Sequence, residues 1–346
     1  MKRLSVPPAG FRRIAVLRLS SLGDVVLALP VTQALARAFP DARIEFWIKE
    51  EYADVVGFEP AVAHVRRLEQ DARRIEDLVS MGAELEECDL IVDLHGSLRT
   101  RVLTFRQRAP VLRAASSRLG RMRWVRARWT RPRPLPTALE RYARALAPIG
   151  VEVPGVPRVA TGPEAEGWAE EWLGAWPGAG RLLALCPGAR HATKRWPEEH
   201  WLALHRALRE RGARLLYLSL AAERSGVPAL AAAVAADAGA RWCAEPLART
   251  AALFSRCAAA VTQDSGLMHL AAARGTRVVA LFGSTSPVLG FAPAGAGHVV
   301  LCRNERCQPC TLHGRASCPR GHFDCMRKLE PAEVLAALTG MGALPG

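Results

Sequence analysis

The sequence predicts an α/β protein of two similar domains, each built on a parallel sheet. Three observations carry this. Apolar strand-like runs alternate with helix-like runs, as buried parallel strands with covering helices do. The same alternation restarts after a Pro- and Gly-rich stretch, residues 150–164, which has no long apolar period and reads as a linker. At 346 residues, half of them apolar, the chain is longer than one core usually serves. The expected domains are residues 1–155 and 156–346, with the last helix free to pack back on the first domain and ligands in a cleft at the carboxyl ends of the strands.

The first series opens with RIAVLRL (13–19), an apolar strand. VVLALPVTQALARAFP (25–40) has helical spacing and a Pro stop. RIEFWI (43–48) and LIVDLHG (90–96) read as further strands. In the second series RLLALCPGA (181–189) is a strand ending in a Pro-Gly turn. The stretch 197–212 is a helix with Pro at its start, acids in its first turn and Gly at its end. RLLYLSL (214–220) is a strand, AAVTQD (259–264) a strand end, SGLMHLAAARG (265–275) a helix and RVVALFG (277–283) a strand.

Charge is placed unevenly. The net charge is +14, yet twelve arginines, with no lysine and no acid, fall within residues 96–135. The rest of the chain carries 35 basic and 33 acidic residues. A near-neutral protein with one strongly basic segment concentrates an anionic partner there: phosphate, nucleic acid or an anionic membrane surface. The N-terminus lacks a cleavage pattern, and no run reaches the ~18 apolar residues of a membrane helix. A soluble, cytoplasmic protein is the expectation. Five of nine cysteines lie between Cys302 and Cys325, which in a reducing compartment suggests thiols or a metal site before disulfides.

Three motifs carry chemistry. In TQDSGLMHLAAARG (262–275) a strand ends at Asp264 and a helix opens with Ser265 and Gly266. Free backbone N–H groups and the helix dipole there suit a phosphate, with Leu267 and His269 in the same opening turn. The alternative is that Asp264 and Ser265 only cap the helix. CPGARHATKRWPEEHW (186–201) places Arg190, His191, Thr193, Lys194 and Arg195 on one strand-to-helix loop. That set suits a diphosphate whose charge grows as it leaves; the alternative is a solvated basic loop. In LRLSSLGDVVLALP (17–30) no dinucleotide fingerprint is present, and Asp24 stands alone at a helix start. It is either an acid favouring the helix dipole or a general base for an attacking hydroxyl.

Taken together and in this order, these three stretches resemble glycosyltransferase family 9, the ADP-heptose:lipopolysaccharide heptosyltransferase family, over nearly the whole chain. The resemblance implies a GT-B fold of two Rossmann-like domains, acceptor on the N-terminal one and nucleotide sugar on the C-terminal one. It implies inverting transfer without a metal or other cofactor. On matching positions, Asp24 would be the catalytic base. Lys194 would hold the donor diphosphate with Thr193 beside it, and Glu223 would fix hydroxyls of the donor. Asp264, Ser265, Gly266, Leu267 and His269 would cradle the sugar diphosphate. One departure is that Lys194 follows Thr193 directly, where many members have a longer loop.

The implied partners are ADP-heptose or a related nucleotide sugar and an anionic lipid-linked acceptor, lipid A with its inner core. Arginines of the basic segment, Arg99, Arg101, Arg121 and Arg123 among them, suit its phosphates and carboxylates. Trp124 and Trp129 suit a transient contact with the inner face of the inner membrane; the alternative is a solvated helix face. Cys307, Cys310, Cys318 and Cys325 could hold a structural zinc, although their spacing matches no familiar module; buried thiols or labile disulfides are the alternatives. Two rival functions are a nucleic-acid-binding protein using the arginine run and a nucleotide-sugar epimerase or hydrolase of similar fold. Nucleic acid is not expected, because the charge is confined to one segment and no DNA or RNA module is present.

Overall fold

The central apolar runs become the inner strands of two parallel sheets. The computed structural model describes residues 4–7, 10–68, 75–127, 135–176 and 178–344. In chain order its strands and α-helices begin with β1 (Arg13–Leu17), α1 (Leu22–Ala38), β2 (Arg43–Lys49), β3 (His64–Leu68), α2 (Ile75–Ala83), β4 (Leu90–Asp93), α3 (Leu98–Leu103), β5 (Val111–Arg113), α4 (Arg118–Arg126) and α5 (Ala138–Ala145). They continue with α6 (Pro163–Gly174), β6 (Leu182–Cys186), α7 (Glu198–Glu210), β7 (Arg214–Leu218), α8 (Ala221–Arg224), α9 (Pro228–Ala236), β8 (Ala240–Cys243) and α10 (Leu247–Phe254). The last are β9 (Ala259–Gln263), α11 (Gly266–Ala273), β10 (Val278–Phe282), β11 (Val299–Cys302), α12 (Asp324–Arg327) and α13 (Pro331–Gly340).

Two compact units result: Met1–Ser116 with Pro136–Thr161, and Ser117–Leu135 with Gly162–Gly346. Each is a Rossmann-like α/β domain with an all-parallel sheet. Part of the basic segment, α4 included, groups with the second unit rather than with the first.

The first unit orders its strands β3-β2-β1-β4-β5. The chain leaves β1 in one direction and returns to its other side at β4, so the switch point lies between β1 and β4, which pair from Ile14↔Leu90 to Leu17↔Asp93. β1 and β4 are buried on both faces, and Leu17, Trp47 and Ile91 anchor this unit's core.

The second unit orders its strands β11-β10-β9-β6-β7-β8. Its switch point lies between β6 and β9, paired from Leu183↔Ala259 to Cys186↔Thr262. Every residue of β6, β9 and β10 is buried. Burying a side chain such as Leu185 contributes about 2 kcal/mol. Trp196 packs edge to face at 5.1 Å against Trp201 of α7, and Trp196 Nε1 donates to the Leu329 carbonyl at 2.8 Å, so the loop after β6 is pinned to the core.

Candidate active site

In the first unit, the loop after β1 and the first turn of α1 place Asp24 at the switch point. Its Oδ2 lies 2.7 Å from Arg18 Nη2 and accepts from Ser21 Oγ at 3.2 Å. Its Oδ1 accepts the Tyr142 hydroxyl at 2.7 Å. The carboxylate keeps 18% of its side-chain surface exposed, so a ligand can reach it. Tyr142 is carried by α5, whose start is fixed by a reciprocal capping box between Thr137 and Glu140. Across the switch point, Asp93 at the end of β4 is fully buried. It accepts from the His95 and Gly96 amides and from Arg113 Nε. His95 follows, and burial beside the Arg18 charge pushes its imidazole down to about 4, so it is neutral near pH 7.

The second unit joins two of the motifs at its own switch point. Lys194, in the turn after β6, sets Nζ 2.7 Å from Asp264 Oδ2 and 3.1 Å from the Asp264 carbonyl, after β9. Thr285 Oγ1, after β10, donates to the same Asp264 Oδ2 at 2.6 Å. The direct Thr193-Lys194 connection thus still brings the lysine to the Asp264 motif. Thr193 itself is 2% exposed and occupied: its hydroxyl pairs with Ser284 Oγ at 2.8 Å and accepts from the Arg315 amide at 2.8 Å. It braces the loop that carries Lys194.

Ser265 stands at the N-cap of α11 but makes no side-chain cap bond, and its buried Oγ has no hydrogen-bond partner. The capping alternative is therefore not what the structure adopts. Gly266 and Leu267 open the helix half-exposed, whereas His269 is buried at 5% exposure. Glu223 in α8 reaches over Gly188: a methyl there would fall 2.0 Å from Glu223 Oε2, so a larger residue would push the carboxylate aside. Burial and the neighbouring Lys194 and Arg190 charges push the His191 imidazole below its ordinary range.

Each unit thus holds a polar centre at its sheet's switch point: a fixed carboxylate in one, a lysine beside a helix start in the other. The family model for glycosyltransferase family 9 (heptosyltransferase) matches residues 78–317. Lipopolysaccharide heptosyltransferase 1 of Pseudomonas aeruginosa is 31% identical over 96% of this chain and 99% of its own length. The chain belongs to glycosyltransferase family 9. The glycosyl transferase family 9 structure from Veillonella parvula superposes with a TM-score of 0.78 at 20% identity, over 95% of this chain and 97% of that one. The E. coli ADP-heptose lps heptosyltransferase II structure gives 0.72 at 21% identity, over 95% and 98%.

Within this family 9 chain, the basic segment departs from its sequence reading. Arg101 and Arg123 are exposed and Arg99 half-exposed, but Arg121 stacks over the Phe291 ring at 5.2 Å. Trp124 is only 8% exposed, so it packs inward instead of serving as an interface anchor; Arg128, Trp129, Arg131 and Arg133 lie outside the described residues. The large apolar side chains that do reach solvent near these arginines are Leu98, Phe105 and Leu119. Among the described residues no three potential ligands are placed to hold a metal ion, so the cysteines are not assembled as a zinc set. None of the nine cysteines is joined in a disulfide, Cys307 Sγ lies 3.7 Å from His322 Nε2, and burial pushes the Cys325 thiol up to about 12.

Sequence reading missed Arg18 and Tyr142 as partners of Asp24, and Thr285 and Ser284 as braces of the second centre. The T-x-x-E signature at Thr137–Glu140 was available and would have marked the helix that carries Tyr142.

Proposed function

We propose that this enzyme transfers heptose from ADP-heptose to an inner-core acceptor of lipopolysaccharide, with inversion at the anomeric carbon. One observation carries this reading: the likeness to a lipopolysaccharide heptosyltransferase 1 runs along both chains almost end to end. The structure of E. coli ADP-heptose lps heptosyltransferase II shares the fold.

Asp24 accepts the proton of the acceptor hydroxyl. The acceptor oxygen then bonds to the anomeric carbon as the bond from that carbon to the diphosphate oxygen breaks, and ADP leaves from the opposite face. Lys194 turns from Asp264 to the diphosphate, and the N–H groups opening α11 stabilise the charge that develops on it. Ser265 offers its unpartnered hydroxyl to the same group. Glu223 accepts from donor hydroxyls, while Thr193 holds the loop. These cationic and dipolar groups supply countercharge without a divalent ion. The N-terminal unit, residues 1–155 in the sequence reading, serves the acceptor and the C-terminal one the donor.

Calorimetry with ADP, UDP and GDP tests the donor half. Clear preference for ADP supports it; absence of binding by every nucleotide overturns it.

For the acceptor, the exposed cations Arg101 and Arg123, with the half-exposed Arg99 and Arg121, meet phosphates and carboxylates of an anionic lipid-linked sugar. Leu98 and Phe105, 77% and 81% exposed, touch the surface of the inner leaflet beside them. No described helix is long and apolar enough to cross a membrane, so contact is peripheral in this reading. The variant Arg99→Ser/Arg101→Ser is expected to raise the acceptor KM about tenfold or more, since a charge-assisted hydrogen bond contributes about 1.5–3 kcal/mol. The donor KM stays within a factor of two or so on this account; equal effects on both contradict the acceptor assignment.

A further inference from the structure

We propose that Tyr142 and Arg18 are positioning residues that clamp the Asp24 carboxylate in one orientation, a role that rests on Asp24 being the base for the acceptor. The two sit on opposite oxygens. Tyr142 Oη donates to Oδ1 and Arg18 Nη2 contacts Oδ2, each at 2.7 Å. Both partners are themselves fixed. Tyr142 is 1% exposed, and Arg18 is 9% exposed, with Nη1 donating to the Leu94 carbonyl at 2.6 Å. The Arg18 guanidinium also lies over the Tyr142 ring, 5.4 Å from its centroid. The clamped carboxylate keeps 18% of its side-chain surface exposed, which leaves room for an incoming hydroxyl.

The phenol cannot replace Asp24 as base. Burial, then the Asp24 charge, holds it protonated far above its ordinary range. It is a permanent donor, and the only proton acceptor in the clamp is the carboxylate. Other groups around it include the Ser21 hydroxyl and the His95 imidazole, neutral near pH 7, while Arg141 covers the Tyr142 ring at 5.5 Å. The clamp favours the ionised carboxylate. Loss of one donor therefore makes Asp24 take up its proton at higher pH, and the acid limb of kcat, which needs the ionised base, moves upward.

The experiment is a pH profile of kcat at saturating donor and acceptor for wild type, Tyr142→Phe, Arg18→Lys and Asp24→Asn, with Tm for each. Tyr142→Phe is expected to lose about tenfold in kcat, because a misaligned base loses the geometric advantage. Its two KM values hold, and its acid limb moves to higher pH. Arg18→Lys keeps the charge and loses the fork, so kcat falls while the limb moves less. If Asp24→Asn is inactive but Tyr142→Phe keeps the wild-type kcat and acid limb, the clamp is overturned and the base stands. A fall in Tm with an unmoved limb also overturns it, since that marks a packing role. Should Tyr142→Phe fail to fold, wild-type kcat in Arg18→Lys overturns the clamp in its place. If Asp24→Asn retains wild-type kcat, the base reading itself fails.

Discussion

Asp24→Asn is expected to lower kcat for glycosyl transfer by about 10²–10⁴, the range for removing a general base, while ADP binding stays intact. The carboxylate belongs to the first unit and the Lys194–Asp264 centre to the second, so on the proposed reading base and donor affinity separate. Asparagine is the informative substitution. Its amide oxygen still accepts the Tyr142 hydroxyl, and Arg18 keeps its bond to the Leu94 carbonyl. The fold is preserved, while the proton acceptor and the negative charge opposite Arg18 are lost. Steady-state kinetics together with ADP titration check this. Loss of kcat and of ADP binding in parallel would mean that Asp24 acts through the fold.

Lys194→Ala is expected to weaken ADP about a hundredfold. Two effects add. The cation that meets the diphosphate disappears, and Asp264, whose side chain is only 11% exposed, keeps Thr285 but loses its charged partner. Truncating one member of such a pair costs about 2–5 kcal/mol, part of it from the charge left behind, which here also repels the diphosphate. Calorimetry with ADP and with adenosine separates the contributions. Adenosine, without phosphates, should bind wild type and variant alike, and a matching loss for adenosine would place Lys194 outside the diphosphate site.

Much of this architecture was readable because the inner strands are buried on both faces. β1, β4, β6, β9 and β10 appear in the sequence as apolar runs, and each was expected near its observed position. The strands that went unread are β3, β5, β8 and β11, the edges of the two sheets. An edge strand buries less, so HVRRL and VLR mix arginines with apolar residues and lose the continuous run that marks a strand. The same logic separates the residues of the site. Asp24, Lys194 and Asp264 announce themselves beside turns and helix starts. Tyr142 lies 118 residues from Asp24, on a helix whose sequence says only that one face is apolar, and nothing local couples the two. Trp124 failed in the opposite direction: its arginine-rich surroundings suggested exposure, but its ring is buried.

The central claim is transfer of a heptose from ADP-heptose to a lipid-linked acceptor. Its most direct test incubates the enzyme with ADP-heptose, with and without heptose-free lipid A–inner-core acceptor, and follows both products by mass spectrometry. The account predicts ADP release only when acceptor is present, in equal amount to an acceptor heavier by one heptosyl unit, with the new anomeric configuration opposite to the donor's by NMR. ADP released at the same rate without acceptor, and an acceptor of unchanged mass, would contradict it and identify a hydrolase on this fold.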